Sequence, residues 1–158
     1  MKLYFFRHAE AEPSTTNDFE RRLTPRGVER TEAAGRVLLR LGVAPTYLFS
    51  SPRIRARETA GILGETLGVE ITVTEGVDSA FDLDLLARLV ELMEDDDEVM
   101  FVGHEPTFSS LVGDLTGGEV VMKKGGMARV DLVGYAPTLE GVLVWLIPPK
   151  LFDLLDNT

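Results

Sequence analysis

The chain has 158 residues, 44% of them apolar, enough for one full-sized core and a single globular domain over residues 1–158. Its net charge of −10 argues against nucleic acid as a partner, since no basic stripe is available for a phosphate backbone, and the lack of cysteine removes disulfides, thiolate catalysis and Cys-based metal sites. The apolar run at 3–6 is too short for a signal peptide and ends in Arg7, and no stretch approaches the ~20 apolar residues that span a bilayer; a cytoplasmic protein with no membrane association is expected.

Strand-like and helix-like segments alternate. Leu3-Tyr4-Phe5-Phe6 reads as a first buried strand. Thr24-Pro25 opens a helix running to about residue 41: threonine caps, proline suits the first helical position and Gly42 ends it. A short strand is expected over 47–50 and a helix from Ser51-Pro52 to about residue 67, before Gly68. A weak strand over 71–73 and a leucine-rich helix over 83–93 follow. Residues 99–102 read as a central strand, and Pro106 opens a helix through Phe108, Leu111, Val112 and Leu115 that Gly117-Gly118 closes. The remainder is β-rich, with Ala128, Val130 and Leu132 alternating against Arg129 and Asp131, then an apolar run over 142–147. This order predicts an α/β protein of three layers, α/β/α, with a mostly parallel central sheet, one antiparallel strand and helices on both faces.

Three charged segments invite and then resist functional readings. The run Glu94-Asp95-Asp96-Asp97-Glu98 lies between a helix and a strand and reads as a solvated connection rather than a metal site. Asp82 and Asp84 form a D-x-D that precedes a helix instead of ending a strand. Lys123-Lys124-Gly125-Gly126 lacks the spacing of a phosphate loop and reads as an exposed turn.

The chemistry concentrates elsewhere. The chain has two histidines, and each follows a buried strand: His8 after Leu3-Tyr4-Phe5-Phe6-Arg7, His104 after Val99-Met100-Phe101-Val102-Gly103. Carboxyl ends of strands are where α/β sheets bind ligands. Helix first turns ordinarily favour acidic residues, yet Arg26 sits in one and Arg53, Arg55 and Arg57 crowd another. A bound phosphate or carboxylate would offset them; for Arg53 and Arg57, a surface role with the stems covering core is the alternative. A neutral imidazole can attack phosphorus directly, provided it is unprotonated, while arginines neutralise the equatorial oxygens without a metal.

Four motifs now resemble one family. Arg7-His8 after a strand is similar to the Arg-His-Gly signature of the histidine phosphatase (phosphoglycerate mutase-like) superfamily. Arg21-Arg22-Leu23-Thr24-Pro25-Arg26-Gly27 resembles its R-x-L-T-x-x-G element, and Ser50-Ser51-Pro52-Arg53-Ile54-Arg55-Ala56-Arg57-Glu58-Thr59-Ala60 its S-S-P-x-x-R-A-x-x-T-A element. Val102-Gly103-His104-Glu105 resembles the second-histidine motif. The short chain and the Arg7-His8-Ala9-Glu10 start most resemble the SixA branch, the protein phosphohistidine phosphatases. Ala9 departs from the glycine common in the superfamily, which implies narrowed backbone freedom.

The resemblance implies a phosphoglycerate mutase-like fold and a metal-independent phosphatase with no cofactor. His8 would be the nucleophile, Arg7 and Arg55 phosphate ligands, and His104 the histidine that stabilises the transferring group, with Arg21 as a further substrate-binding arginine. The general acid falls to Glu75 or Asp78, with Glu10 and Glu105 as alternatives or solvated loop residues. The implied substrate is a phosphohistidine on another protein, because the P–N bond is labile and a chain this short leaves little room for a segment capping the site. Alternatives are a small-molecule phosphomonoesterase or mutase of the same superfamily, a metallohydrolase using His8, His104, Glu10 and Glu105, and a non-catalytic phosphohistidine-binding module.

Overall fold

A computed structural model describes residues 1–13 and 16–158. Six strands form one sheet: β1 (Lys2–Arg7), β2 (Tyr47–Ser50), β3 (Ile71–Val73), β4 (Glu98–Gly103), β5 (Met127–Gly134) and β6 (Glu140–Ile147). Their order is β3-β2-β4-β1-β5-β6. The pairs β3/β2, β2/β4 and β4/β1 are parallel; β1/β5 and β5/β6 are antiparallel. Two antiparallel pairings therefore arise from one reversed strand, β5, as expected.

The helices are α1 (Pro25–Arg40), α2 (Ile54–Leu67), α3 (Leu83–Val90), α4 (Thr107–Thr116) and α5 (Pro149–Asp156). Alternation along β1 divides the core into two layers. Leu3 and Phe5 join α3 and α4 residues such as Leu86, Phe108 and Leu111 on one face. Tyr4 and Phe6 join Val37 and Leu38 of α1, Ala60 and Leu63 of α2 and Phe152 of α5 on the other. This is the three-layer arrangement that the segment order predicted.

Local departures from expectation have local causes. α2 begins at Ile54, three residues after Ser51, because a residue before proline is pushed to extended backbone and Ser51 N–H is still bonded to the Val102 carbonyl (3.0 Å). α3 stops at Val90, since Leu92 and Met93 donate to Leu89 and Val90 in tightened i→i+3 bonds and Leu92 is 83% exposed. Thr24 caps α1 as expected, accepting from Gly27 N–H. Gly27 itself is indispensable for packing: a Cβ there would run into the Glu10 carbonyl oxygen.

Two charged segments are corrected. Residues 94–96 are solvated, but Glu98 belongs to β4, where its half-buried carboxylate pairs with Lys2 Nζ (2.8 Å) and accepts from Tyr4 OH (2.9 Å). In the 123–126 turn the lysines are exposed, but Gly125 and Gly126 are buried. Gly125 N–H donates to the carbonyls of Arg7 (3.0 Å) and His8 (3.1 Å), and Arg7 N–H donates to the Gly126 carbonyl (3.0 Å). At φ 79°, position 125 needs glycine, and the turn braces the end of β1. Sequence reading did not anticipate α5, nor the 3-10 turns Asp18–Glu20 and Glu75–Val77.

Candidate active site

Register brings the two histidines together. β1 and β4 are parallel neighbours with Arg7 opposite Gly103, so His8 and His104 leave adjacent strands at the same level. His8 N–H donates to the Gly103 carbonyl (2.9 Å), and the ring centroids lie 5.2 Å apart. β2 ends beside them and delivers Ser51, Arg53 and the start of α2, while β3 leads into the turn that carries Asp78. The site thus sits at the carboxyl edge of the sheet, where the chain order switches around β1.

The tautomer of His8 follows from one contact. Its Nδ1 lies 2.8 Å from the Ala9 carbonyl oxygen, an acceptor only, so Nδ1 carries the proton and Nε2 presents its lone pair. Arg55 Nε–H points at that lone pair from 3.3 Å. Burial pushes the His8 pKa down to about 3, assisted by the charges of Arg55 and Arg7 and by His104, against the Ala9 hydrogen bond. Burial likewise pushes His104 down to about 4, with Arg55 and Arg53 adding to the effect and Asp78 opposing it. Both rings are therefore neutral at pH 7.

The arginines are held from behind. Arg55 donates from its two terminal nitrogens to the Asp18 carbonyl (2.9 Å) and to Asp18 Oδ2 (3.2 Å). The same carboxylate accepts from Arg53 (2.7 Å) and, through Oδ1, from Arg21 (3.2 Å). Burial acts against ionisation of Asp18, yet hydrogen bonds and charge from Arg21 and Arg55 hold its pKa below the ordinary value. Arg7 donates to the Met122 carbonyl (2.7 Å), and burial lowers the pKa of Arg7 and of Arg55. Among the described residues, Arg7 Nε and His104 Nδ1 are buried polar atoms without a hydrogen-bond partner. His104 Nε2 shares a hydrogen bond with Ser51 Oγ (2.8 Å).

His8, Arg7, Arg55 and His104 thus converge, and Arg21 joins them through Asp18. The adjacent Arg22 is exposed. Arg53 is not the surface residue allowed for above: its Nε binds Asp78 (2.9 and 3.2 Å). Arg57 is exposed, and Arg26 is an exposed residue 3.8 Å from Glu10.

The acid candidates separate. Asp78 lies 3.6 Å from His104 Nε2 but is engaged by Arg53; Glu75 is exposed on the turn before it. Glu10 accepts from Thr24 Oγ1 (3.1 Å) and Glu105 from Ser109 N–H (2.8 Å), so both serve helix starts rather than idle in solvated loops. Among the described residues, no group of three or more His, Asp or Glu side chains is arranged to hold a metal ion. Ala9 fits without strain, since among the described residues no non-glycine residue has a positive φ, and its N–H donates to Thr59 Oγ1 (3.2 Å).

Sequence reasoning missed Asp18, Ser51 as a partner of His104, and the Gly125 brace. Asp18 had no local signal. Ser51 sat inside a quoted motif with no partner assigned.

Known proteins share this fold and part of this sequence. Residues 3–79 match the model of the histidine phosphatase superfamily (branch 1). An uncharacterized protein of Picosynechococcus sp. (strain PCC 7002) is 32% identical over 136 residues, covering 80% of this chain and 82% of that one. The structure of the protein histidine phosphatase SixA complexed with tungstate matches with a TM-score of 0.84 at 22% identity, over 95% of this chain and 98% of that one. A mycobacterial glucosyl-3-phosphoglycerate phosphatase complexed with VO3 matches at 0.75 and 17% identity, over 93% of this chain and 99% of that one. The chain belongs to the histidine phosphatase superfamily. It is a phosphatase of that superfamily, built on the phosphoglycerate mutase-like fold that SixA shares. Among the described residues no helix is long and apolar enough to cross a membrane.

Proposed function

We propose that the chain hydrolyses phosphohistidine carried on another protein, through a phosphoryl intermediate on His8. The observation that carries the reading is the anchored imidazole: Nδ1–H is tied to the Ala9 carbonyl, Nε2 is unprotonated and accepts from Arg55 Nε–H, and the ring of His104 lies beside it. Nε2 attacks phosphorus in line as the substrate's P–N bond breaks. That bond's electron pair goes to the leaving imidazole, which takes a proton from solvent. Arg55 Nε–H, which now donates to Nε2, passes to a phosphoryl oxygen as the new bond forms, and Arg7 Nε–H donates to another. Water then attacks phospho-His8, releasing inorganic phosphate and restoring the lone pair.

The P–N substrate is favoured by the state of the carboxylates. Asp78 is engaged by Arg53, Glu10 and Glu105 are committed to helix starts, and Glu75 is exposed. An alkyl phosphate leaving as alkoxide needs a proton donor more than imidazole does.

Rapid quench with a labelled phosphohistidine peptide tests this. Acid-labile, base-stable label on the wild-type chain, absent from His8→Ala and undiminished by chelator, is the expected result. Turnover with no such label rejects the covalent route. Sugar phosphates hydrolysed faster than the peptide would transfer the reading to small-molecule substrates.

A further inference from the structure

One carboxylate of the site is bonded directly to Arg55. Asp18 stands on a 3-10 turn with no buried residues, half exposed, and contributes nothing to either core layer. It nevertheless gathers Arg21, three residues further along the chain, with Arg53 and Arg55 from the start of α2. Among the described residues it is the one carboxylate paired with Arg55.

A guanidinium has five N–H bonds in a fixed plane. Asp18 takes two of those of Arg55, one through its carbonyl and one through Oδ2, while Nε–H points at His8 Nε2. Held this way, the plane cannot rotate about the end of the side chain. The Nε–H edge stays directed at the point where an oxyanion bonded to His8 would lie. Asp18 also places a negative charge directly behind the guanidinium that this anion would face.

We propose that Asp18 is a positioning residue that sets how tightly the site holds phosphate. It fixes the Arg55 plane toward His8 and offsets part of its charge, so that the product anion leaves. The inference rests on the phosphate reading of the site given above and goes one step further, to what limits phosphate affinity.

The opposing effects separate in Asp18→Asn. The amide oxygen can still accept from Arg53 and Arg55, and the Asp18 carbonyl contact belongs to the backbone, but the charge is gone. With Asp18 half exposed, solvent screens the loss, and inorganic phosphate should bind on the order of tenfold tighter. Titration calorimetry with inorganic phosphate, on wild type and D18N at pH 7, reads this directly. In steady-state kinetics with any hydrolysed phosphate compound, KM and kcat should fall together as product release slows. A purely structural role would instead lower the melting temperature and weaken phosphate binding.

Equal or weaker phosphate binding by a folded D18N overturns the proposal, and so does a D18N chain that fails to fold, since the turn adds nothing to the core. A wild-type chain that binds no phosphate at millimolar concentration defeats the reading of the site itself, a different failure from wild type and D18N binding alike.

Discussion

Two imidazoles held neutral inside the fold make stability depend on pH in a calculable way. In the unfolded chain each titrates near 6.5; in the folded chain burial holds His8 near 3 and His104 near 4. Because the folded values are depressed, the unfolded chain binds more protons between those limits. Stability is fully present above about 6.5 and is lost as pH falls toward 4. At pH 5 an unfolded imidazole gains about 2 kcal/mol from protonation that its folded counterpart does not, so the two together cost about 4 kcal/mol relative to pH 7. The side chains are too buried for solvent to erase the effect, with His8 5% and His104 8% exposed. Urea unfolding at pH 7, 6 and 5, in buffers without phosphate, measures it. Carboxylates contribute little over this window because most titrate below it. The His8→Gln/His104→Gln double variant should lose most of the slope. A wild-type loss under about 1 kcal/mol, or an equal loss in the double variant, would refute the neutral, buried pair on which the nucleophile argument stands.

Arg55→Ala should lower kcat/KM on the order of 10²–10³-fold, comparable with losing one preorganised donor to a developing oxyanion; near-normal activity would show that phosphate is held elsewhere. Gly27→Ala should destabilise the chain by more than about 2 kcal/mol, because the new methyl meets backbone, the Glu10 carbonyl, rather than a movable side chain. A midpoint in urea within error of wild type would contradict that packing. Gly125→Ala should cost about 1 kcal/mol, since its surroundings leave ordinary van der Waals room and the penalty is the left-handed backbone alone. Activity should fall further than stability there, because the turn carries the carbonyls of Arg7 and His8; an activity loss no greater than the stability loss would leave the brace without a role in the site.

Legibility in the sequence followed the range of the interactions. Strands β1 and β4 were readable because both of their faces are buried, which leaves continuous apolar runs, and α1 was readable because its cap, proline and closing glycine are local. α5 was missed although Pro148-Pro149 opens it: only eight residues long and with Phe152 as its one buried side chain, it is held by Arg30, Arg36 and Arg40 reaching from α1. Polar contacts of that kind leave no periodicity to read. The site divides along the same line. His8, Arg7, Arg55 and His104 stand in motifs and could be named, but nothing in those motifs states that Arg7 lies opposite Gly103. That register turns two separate histidines into a facing pair. The acid candidates could not be told apart in the sequence for the converse reason, since Glu75 and Asp78 share a segment and only side-chain direction separates an exposed glutamate from an aspartate bonded to Arg53. Asp18 lies at the far end of that logic. Its importance comes from Arg53 and Arg55, which the fold brings to it from the start of α2, so a carboxylate without local signal exerts the most direct control on the guanidinium facing the nucleophile.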